Sequence, residues 1–382
     1  MKILLVSMNS IHFNRWTDQL KDSGHEVYWF NILDGGYSET LSWVNQIVGW
    51  KQKFPNLKGR SSMKKKFPKT YKKLSFLIEN NTEQAFEKVL LEIKPDVVHS
   101  FVLYISCVPI LKLMNKYQNI KWIYSSWGSD LYYYQNDTKY LKNIKEVLPR
   151  VNYMFSDCIR DVKLAKKYGF SGTLLGVFPG GGGFLLQEYE QYILPVEKRN
   201  IILVKGYQGR SGKAIQVLQA LAKMSNKLAN NKVVVFGADK EVESFIIQRE
   251  LNKKFDLTIY RKSQFLPHID IIKLMGQALI YIGNSNSDGM PNTLIEAIIM
   301  GAFPIQSNPG NVTEEIIEHN KNGLLINNCE DNSQIASLIV SVIGDFELIN
   351  NAFLFNQKTI KPKYDRDKIL NEVLLKYNST KD

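Results

Sequence analysis

The chain has 382 residues, of which 44% are hydrophobic, 12% aromatic and 23% charged. This composition is typical of a globular protein and excludes a mainly disordered, collagen-like or coiled-coil chain, and the length predicts two domains. The formal net charge is +12, and residues 51–73 alone contain ten Lys or Arg and no acidic residue. The excess charge is therefore a local feature of the chain.

Three cysteines, Cys107, Cys158 and Cys329, are scattered and form no CxxC pair. They favour neither a disulfide framework nor a structural zinc site. The first residues, MKILLVSMNSIHF, contain an apolar run too short for a signal peptide and predict a buried strand. The longest apolar stretch, 101–111, falls short of the ~20 residues that span a bilayer. We expect a cytoplasmic protein.

Short runs rich in Val, Ile, Leu and Tyr alternate with segments of helical periodicity along nearly the whole chain. Twelve of these runs predict strands, at 2–6, 26–30, 96–100, 121–125, 151–156, 173–177, 200–205, 232–237, 257–261, 278–283, 303–307 and 323–327. Helical patterns lie between them, for example at 82–93, 213–224 and 292–300. Apolar strands separated by helices indicate parallel sheets covered on both faces. Two such series predict an α/β protein with two doubly wound, Rossmann-like domains.

The regular pattern breaks at 178–198, which begins FPGGGG, and this break marks the predicted domain boundary. We assign 1–190 to an N-terminal domain, 191–350 to a C-terminal domain, and 351–382 to a helical tail that could cross back to the N-terminal domain. The basic residues at about 50–74 read as an insertion in the N-terminal domain. The glycine run itself could let the backbone approach a ligand, but a hinge or tight turn is the preferred interpretation.

The most informative segment is 278–308, ALIYIGNSNSDGMPNTLIEAIIMGAFPIQSN, which predicts strand, polar loop, helix and strand. Loops at the carboxyl ends of parallel strands are where open α/β sheets bind ligands. Pro291 and Asn292 suit a helix start, and the free amide groups of such a start favour a phosphate. Asp288 and Glu296, eight residues apart, could then face one cleft.

The D-x7-E pattern within SDGMPNTLIEAIIMG resembles the E-x7-E signature of retaining glycosyltransferases of family 4, which have the GT-B fold. The resemblance implies that Asp288 contacts the donor sugar and that Glu296 contacts the nucleotide ribose. The donor would also be held by the helix start, namely by Gly289, Met290, Pro291, Asn292 and Thr293. Asp288 stands where the family usually has Glu, which changes its reach. Two alternatives stay open: a turn role for Asp288, and a capping box of Thr293 and Glu296.

A second resemblance lies in 201–221, IILVKGYQGRSGKAIQVLQAL. In the family, the corresponding loop supplies an Arg and a Lys to the diphosphate. Lys213 is nearest the usual Lys position, while Gln208 occupies the usual Arg position, so that Arg210 or Lys205 must substitute. Fixed cations would stabilise the departing nucleoside diphosphate. The alternative is that these are solvated surface charges.

We recognise no DxD-type or histidine-cluster metal site in the sequence, so we expect these cations and the helix end to replace a metal ion. The loop after the first strand has no glycine and hence no GxGxxG motif, which counts against a dinucleotide cofactor. We predict no cofactor.

Three residues of the N-terminal half are candidates for acceptor binding. His12 follows the first strand, although a lone His is often just a partly exposed polar residue. The run WIYSSWGSD resembles the family's HGSD strand end, with Trp127 in place of His and Asp130 in its usual place. An aromatic ring could stack on a sugar. For Asp130 the alternative is an N-cap or turn role.

Four aromatic residues, Trp50, Phe54, Phe67 and Tyr71, interleave with the basic run. Basic and aromatic residues together favour an anionic bilayer, and a family 4 enzyme acting on a lipid-linked acceptor needs such a surface. We therefore predict peripheral attachment to the inner leaflet through 50–74. Nucleic acid attracts the same charge but ranks lower, because no nucleic-acid-binding motif accompanies the run. A solvated loop without a partner also stays open.

The resemblance thus predicts a glycosyltransferase that moves a sugar from a UDP- or GDP-type donor to a glycan or lipid-linked acceptor, with retention, in surface polysaccharide synthesis. Two other functions stay open. One is a sugar-nucleotide epimerase or hydrolase on the same fold, and the other is a non-catalytic membrane-docking module.

Overall fold

The computed structural model describes residues 1–54 and 60–381. The predicted basic segment, about 50–74, lies partly outside the described residues, because 55–59 fall within it. At four further positions only the backbone is described: Arg60, Ser61, Lys72 and Lys73.

The chain divides into two compact units. Unit 1 comprises Met1–Asp157, Asp161–Gly182 and Leu370–Asp382. Unit 2 comprises Cys158–Arg160 and Gly183–Ile369. The chain passes from unit 1 to unit 2 within the predicted glycine run, and its last residues belong to unit 1.

Unit 1 contains a seven-stranded parallel sheet in the order β3-β2-β1-β4-β5-β6-β7. Its strands are β1 (Lys2–Ser7), β2 (Glu26–Asn31), β3 (Asn45–Ile47), β4 (Val97–Phe101), β5 (Lys121–Ser126), β6 (Tyr153–Ser156) and β7 (Thr173–Val177). Six of them confirm sequence predictions. Strand β3 was not predicted, because it has only three residues and no continuous apolar run.

Unit 2 contains a six-stranded parallel sheet in the order β10-β9-β8-β11-β12-β13. Its strands are β8 (Ile201–Lys205), β9 (Lys232–Ala238), β10 (Leu257–Arg261), β11 (Ala278–Gly283), β12 (Phe303–Ser307) and β13 (Leu324–Ile326). All six confirm predicted strands. The α/β class with two parallel sheets is therefore correct.

The helices connect the strands of both sheets. They are α1 (Ile11–Thr17), α2 (Arg60–Lys66), α3 (Pro68–Ile78), α4 (Thr82–Ile93), α5 (Leu111–Lys116), α6 (Thr138–Val147), α7 (Ile159–Lys167), α8 (Leu186–Glu190), α9 (Ala214–Lys223), α10 (Lys240–Gln248), α11 (His268–Gln277), α12 (Asn292–Ile299), α13 (Asn332–Val342), α14 (Phe346–Phe355) and α15 (Arg366–Asn378). Several begin where a polar side chain accepts from the first amide groups, as Asn81, Asp137, Asp331 and Asp345 do.

Both faces of the unit 2 sheet are buried, as the near-continuous apolar strands predicted. In β8, Ile202 and Val204 join the apolar cluster on one face, whereas Ile201 and Leu203 join the cluster on the other. This alternation follows from the pleat of a strand, in which successive side chains point to opposite faces. Each fully buried aliphatic side chain contributes about 1.5–3 kcal/mol to stability.

The end of α15 packs against the sheet of unit 1 through a buried polar chain. The Tyr377 hydroxyl lies 2.6 Å from His99 Nδ1 and accepts a hydrogen bond from Trp16 Nε1 at 3.2 Å. His99 Nε2 lies 2.8 Å from the Ser125 hydroxyl. Because the hydroxyl proton of Tyr377 is available only for His99 Nδ1, this geometry favours the neutral Nε2–H tautomer. Burial lowers the pKa of His99 well below its usual value.

Among the described residues, no helix on its own has the length and hydropathy to span a membrane. One pair, Asn332–Val342 with Phe346–Tyr364, reaches the threshold only when its two helices are taken together, and they meet at a bend of 90°.

Candidate functional site

The carboxyl ends of the unit 2 strands hold most of the residues that the sequence predicts as functional. Lys205 ends β8, Lys213 immediately precedes α9, and Asp288 lies in the loop after β11. Strands β8 and β11 are neighbours in the sheet. The structure therefore brings residues from separate stretches of sequence to one edge of the sheet. Open α/β sheets bind ligands at this edge, so it is the candidate site.

Asp288 pairs with a cation of the neighbouring strand. Its Oδ2 lies 3.8 Å from Lys205 Nζ, and both side chains are largely shielded from solvent. Lys205 Nζ also lies 4.9 Å from the centre of the Tyr207 ring, and Lys262 Nζ lies 4.6 Å from the same ring. A cation over an aromatic face is stabilised without losing its charge. Tyr207 thus gathers two lysines on the side of the site where Asp288 lies.

The main chain of Lys213 is held by a hydrogen bond, and the charge of its side chain is neutralised by an acidic residue. Its amide donates to the Asn284 carbonyl at 2.7 Å, and Asn284 Nδ2 donates to the Cys329 carbonyl at 2.8 Å. The Lys213 ammonium forms an ion pair with Glu330, which also accepts from Gln216 Nε2 at 2.5 Å. Asn284 therefore ties three loops together at the end of β11.

Gln208, at the position where the family usually has Arg, has a structural role. Its side-chain oxygen accepts from the backbone amide of Ile215 at 3.1 Å, at the start of α9. The backbone amide of Gln208 donates to the Asp239 carboxylate at 2.9 Å. Arg210 lies exposed on the same loop. Of the two proposed substitutes for the missing arginine, Lys205 is the one that the structure places beside Asp288.

Glu296 is buried in the middle of α12 and pairs with a histidine. Its Oε1 lies 2.7 Å from His268 Nε2, at the start of α11. The capping-box alternative is wrong, because Pro291 is the N-cap of α12 and the Thr293 hydroxyl accepts from Tyr281 at 3.0 Å. The carboxylate of Glu296 is therefore directed towards the loop that precedes α11.

The predicted helix start is confirmed: α12 begins at Asn292 directly after Pro291. Its first amide groups precede the first intrahelical hydrogen bonds, which start at Leu294. The side chain of Met290 is buried in the apolar core of unit 2, so that only its backbone is available to contact a nucleotide-sugar donor. The Gly289 amide donates to Asp288 Oδ1 at 3.0 Å and fixes the turn in which that acid lies.

In unit 1, His12 and Trp127 lie together. Their ring centres are 6.5 Å apart, and the Trp127 ring packs on Phe101 at 4.8 Å. A Cβ atom added to Gly180 would lie 3.5 Å from Trp127, and one added to Gly182 would lie 2.4 Å from the Gln19 side chain. Gly180 and Gly182 thus pack closely on other parts of unit 1.

Asp130 is placed differently from these two residues, because it is buried. Its Oδ2 accepts from the Leu103 amide at 2.7 Å and from the Tyr124 hydroxyl at 2.5 Å. Burial raises the pKa of Asp130 to about 7, despite these two hydrogen bonds to the charged form. The side chain therefore connects the segments that follow β4 and β5 and is shielded from solvent.

In the described part of the basic segment, the aromatic residues fall into two groups. Trp50 stacks on Phe30 at 4.9 Å, and the buried Tyr71 donates to Glu79 at 2.6 Å, so that neither is available as a surface anchor. Phe54 and Phe67 are exposed, as are Phe76 and Leu77 at the end of α3. Lys64, Lys65 and Lys66, at the end of α2, are also exposed.

Three residues of this site were not found from the sequence: His268, Glu330 and Lys262. The available signal for His268 was its place at a helix start after a predicted strand, next to Pro267. Glu330 and Lys262 are charged residues in polar loops, and only the folded loops bring them to Lys213 and Tyr207.

Two family models match separate parts of the chain. Residues 187–352 match the model "Glycosyl transferases group 1", and residues 2–160 match the model "Glycosyl transferase 4-like". Each half of the chain is therefore similar to a glycosyltransferase family model.

One curated relative is 28% identical over 161 residues, which are 41% of this chain and 43% of its own length. It is the GalNAc-alpha-(1->4)-GalNAc-alpha-(1->3)-diNAcBac-PP-undecaprenol alpha-1,4-N-acetyl-D-galactosaminyltransferase of Campylobacter jejuni. The matched part thus spans less than half of that relative.

Two solved structures resemble the chain over nearly its whole length. Sucrose-phosphate synthase from Thermosynechococcus elongatus has a TM-score of 0.71 at 16% identity, over 99% of this chain and 98% of its own. Anabaena HepE in complex with UDP has a TM-score of 0.70 at 13% identity, over 99% and 100%. These likenesses establish the GT-B fold that the sequence predicted.

Proposed function

Because both halves of the chain match glycosyltransferase family models, we propose that the protein transfers a sugar from a nucleoside diphosphate donor to a glycan or lipid-linked acceptor, with retention at the anomeric carbon. The observation that carries this proposal is the set of charges at the carboxyl edge of the unit 2 sheet. There Asp288 lies beside Lys205, and Asn284, in the same loop as Asp288, holds the backbone of Lys213.

Each of these groups has a distinct role in the proposed donor complex. Lys205, Lys213 and Arg210 bind the diphosphate together with the first amide groups of α12. Asp288 accepts hydrogen bonds from the sugar hydroxyls, and Glu296 accepts from the ribose. His268 holds the Glu296 carboxylate in place through its 2.7 Å contact.

The chemistry requires stabilisation of a departing anion rather than a strong base. The bond between the anomeric carbon and the diphosphate oxygen breaks, and the acceptor oxygen bonds to that carbon on the same face. The acceptor proton passes to the departing diphosphate oxygen, whose charge the lysines stabilise. We propose that these cations act without a metal ion, since Asp288 and Glu296 already lie beside Lys205 and His268.

The relatives suggest the first substrates to test. HepE is described in complex with UDP and with UDP-glucose, and the Campylobacter enzyme is named for an undecaprenol-linked glycan. We infer a UDP-sugar donor and a polyprenyl-diphosphate-linked glycan acceptor, as in surface polysaccharide synthesis. His12 and Trp127 would contact the acceptor from unit 1.

A lipid-linked acceptor requires access to a bilayer, and we propose that the basic segment supplies it at the inner leaflet. The exposed lysines at the end of α2 would attract anionic headgroups, at about 1 kcal/mol for each cation. Phe67 and Phe76, which are 62% and 68% exposed, would enter the interface.

The proposed activity is tested with purified protein, labelled UDP-glucose or UDP-N-acetylgalactosamine, and an undecaprenyl-diphosphate-linked glycan. We expect an α-linked product with wild type and at least a 100-fold slower reaction with Asp288→Asn. Asp270→Asn changes an acid paired with Lys273 on α11 and should leave the rate unchanged. An epimerised donor would instead indicate an epimerase, and release of free sugar alone would indicate a hydrolase. No reaction with any donor would favour a binding module.

A further inference from the structure

Unit 1 contains a cluster of tyrosines to which the proposed reaction assigns no role. The ring centres of Tyr104 and Tyr134 are 4.6 Å apart, those of Tyr134 and Tyr140 are 4.4 Å apart, and Tyr133 lies 5.4 Å from Tyr134. Tyr133 is 40% exposed, and the other three are half-buried. These four residues, here named the tyrosine cluster, thus present part of their surface to solvent.

The tyrosine cluster is built at the carboxyl edge of the sheet. Tyr104 lies in the segment after β4, Tyr133 and Tyr134 lie in the segment after β5, and Tyr140 is on α6. The strand order reverses between β1 and β4. Such a switch point is where open α/β sheets bind ligands, so that the cluster flanks the expected ligand side of unit 1.

Asp130 fixes the two segments that carry the tyrosine cluster. Its carboxylate accepts from the Leu103 amide at 2.7 Å, next to Tyr104, and it belongs to the same loop as Tyr133. A buried carboxylate is costly unless it is well hydrogen-bonded. The hydrogen bonds from Leu103 and Tyr124 offset part of this cost. They suit a residue that positions the tyrosine rings and does not itself contact a ligand.

The backbone beside Tyr104 is also strained. Val102 has a φ of +68°, which is unusual for a β-branched residue, and Leu103–Cys107 form a single π-helical turn. Strained residues and π-helical turns both concentrate at functional sites. This turn places Tyr104 just beyond the C-terminal end of β4, where its ring contacts that of Tyr134.

The composition of the tyrosine cluster favours a sugar over a lipid chain. A sugar ring has an apolar C–H face and hydroxyl groups at its edge, and tyrosine offers an apolar ring with a polar tip. The next residues, Gln135 and Asn136, brace the loop that carries Tyr133 and Tyr134, because both side-chain amides donate to the Tyr132 carbonyl, at 2.9 Å and 3.4 Å. The exposed Phe67 and Phe76, which suit a bilayer, lie in other segments.

We propose that the tyrosine cluster is a subsite for a sugar residue of the acceptor glycan, one that does not itself receive the new bond, and that Asp130 is its positioning residue. This proposal rests on the proposed function for the identity of the ligand. It assigns the recognition of acceptor length to Tyr104, Tyr133, Tyr134 and Tyr140.

The test compares variants in acceptor KM and in direct binding of an α-1,4-linked N-acetylgalactosamine disaccharide, measured by NMR titration. Tyr134→Leu should raise the acceptor KM about tenfold, since ring contacts are worth about 1 kcal/mol or more. Tyr134→Phe keeps the ring and should stay within threefold of wild type. Tyr133→Leu, at the most exposed ring, guards against a folding defect at Tyr134. Tyr153→Leu, at the amino end of β6, is the matched control and should have no effect.

The donor reaction separates this proposal from the proposed function. Hydrolysis of UDP-sugar without acceptor, and kcat at saturating acceptor, should be unchanged in Tyr134→Leu. An unchanged acceptor KM in both leucine variants overturns the subsite while leaving the transferase intact. If no donor is used at all, the proposed function fails, and the disaccharide titration then decides the subsite alone. Absence of binding to wild type at millimolar concentrations also overturns it.

The role of Asp130 has its own readout. Asp130→Ala should raise the acceptor KM at constant kcat, and Asp130→Asn, which can still accept from the Leu103 amide, should restore most of the affinity. A fall in kcat without a change in KM would contradict a positioning role.

Discussion

The cations of the basic segment and those of the unit 2 site represent two different uses of positive charge. In the basic segment, Lys64, Lys65 and Lys66 follow one another at the end of a helix and are exposed. At the unit 2 site, Lys205 and Lys213 are mostly shielded and pair with Asp288 and Glu330. The first arrangement leaves the charge mobile and screened by salt, whereas the second fixes it.

This difference matters because a fixed cation can recognise one geometry and a mobile cation cannot. A diphosphate that departs from a sugar needs charge at a defined place, and orienting the lysines before reaction avoids reorganisation during it. A bilayer presents many headgroups at no fixed position, so that several flexible cations suffice. The contrast predicts that salt and substitution of the exposed lysines affect vesicle binding, whereas substitution of a fixed lysine affects sugar transfer.

The largest expected effect is on membrane binding. Replacing Lys64, Lys65 and Lys66 together by Gln should weaken binding to vesicles containing phosphatidylglycerol by more than 100-fold, since each lysine contributes about 1 kcal/mol. Binding by wild type should also fall as salt is raised. Vesicle sedimentation measures both quantities.

The matched control for this effect lies on α6. Lys139, Lys142 and Lys145 are also three exposed lysines of unit 1, and their replacement by Gln should change binding little. Equal losses in the two triple variants would mean that net charge alone decides, and retained binding in the first would refute docking through the basic segment.

The fixed cations give the next largest effect. Lys213→Ala should lower kcat for sugar transfer about 100-fold, because it removes a positioned charge from the departing diphosphate. Binding to vesicles should be unchanged. Steady-state kinetics with saturating donor provide the measurement.

Lys232, the first residue of β9 at the opposite edge of the same sheet, is the control for Lys213. Lys232→Ala should retain the wild-type kcat. A comparable loss in both variants would show that the effect is on stability or on overall charge rather than on the site.

The sequence was sufficient for the elements that carry continuous apolar runs. Twelve strands were predicted from their apolar runs, and most of them are buried on both faces of a sheet, whereas the edge strands β7 and β10 are less buried. Strand β3 escaped because Asn45–Ile47 is short and polar at one end. The helix start at Pro291 and Asn292 was also correct, since it depends on local chemistry.

The partners of the site residues could not be predicted in the same way. Glu296 fitted a capping box by spacing, but its actual partner is His268, 28 residues earlier in the chain. Asp130 was predicted to contact an acceptor, whereas tertiary packing buries it against Leu103 and Tyr124. Spacing defines neighbours along one element, and the carboxyl edge of a sheet joins loops that are far apart in sequence.

The buried His99 differs from both groups of lysines because it carries no charge. Burial lowers the pKa of His99 well below 6.5, so that below about pH 6.5 the unfolded chain takes up a proton that the folded state does not. The free energy of unfolding should therefore fall with decreasing pH by up to about 1.4 kcal/mol per pH unit from this residue. His99→Gln should lack this component in urea unfolding, and His12→Gln, at an exposed histidine, should keep it.

The smallest expected effect concerns Glu330, the acid that neutralises one of the fixed cations. Glu330 pairs with Lys213 but is half-exposed, so the pair is worth at most about 1 kcal/mol. A bound diphosphate must compete with Glu330 for the ammonium group. Glu330→Gln should therefore raise the affinity for UDP two- to fivefold in calorimetric titration. Glu318→Gln, which removes an exposed partner of Lys321, should not change it. If UDP instead bound more weakly to Glu330→Gln, the acid would be orienting Lys213 rather than competing for it, and the ion pair would belong to the donor complex.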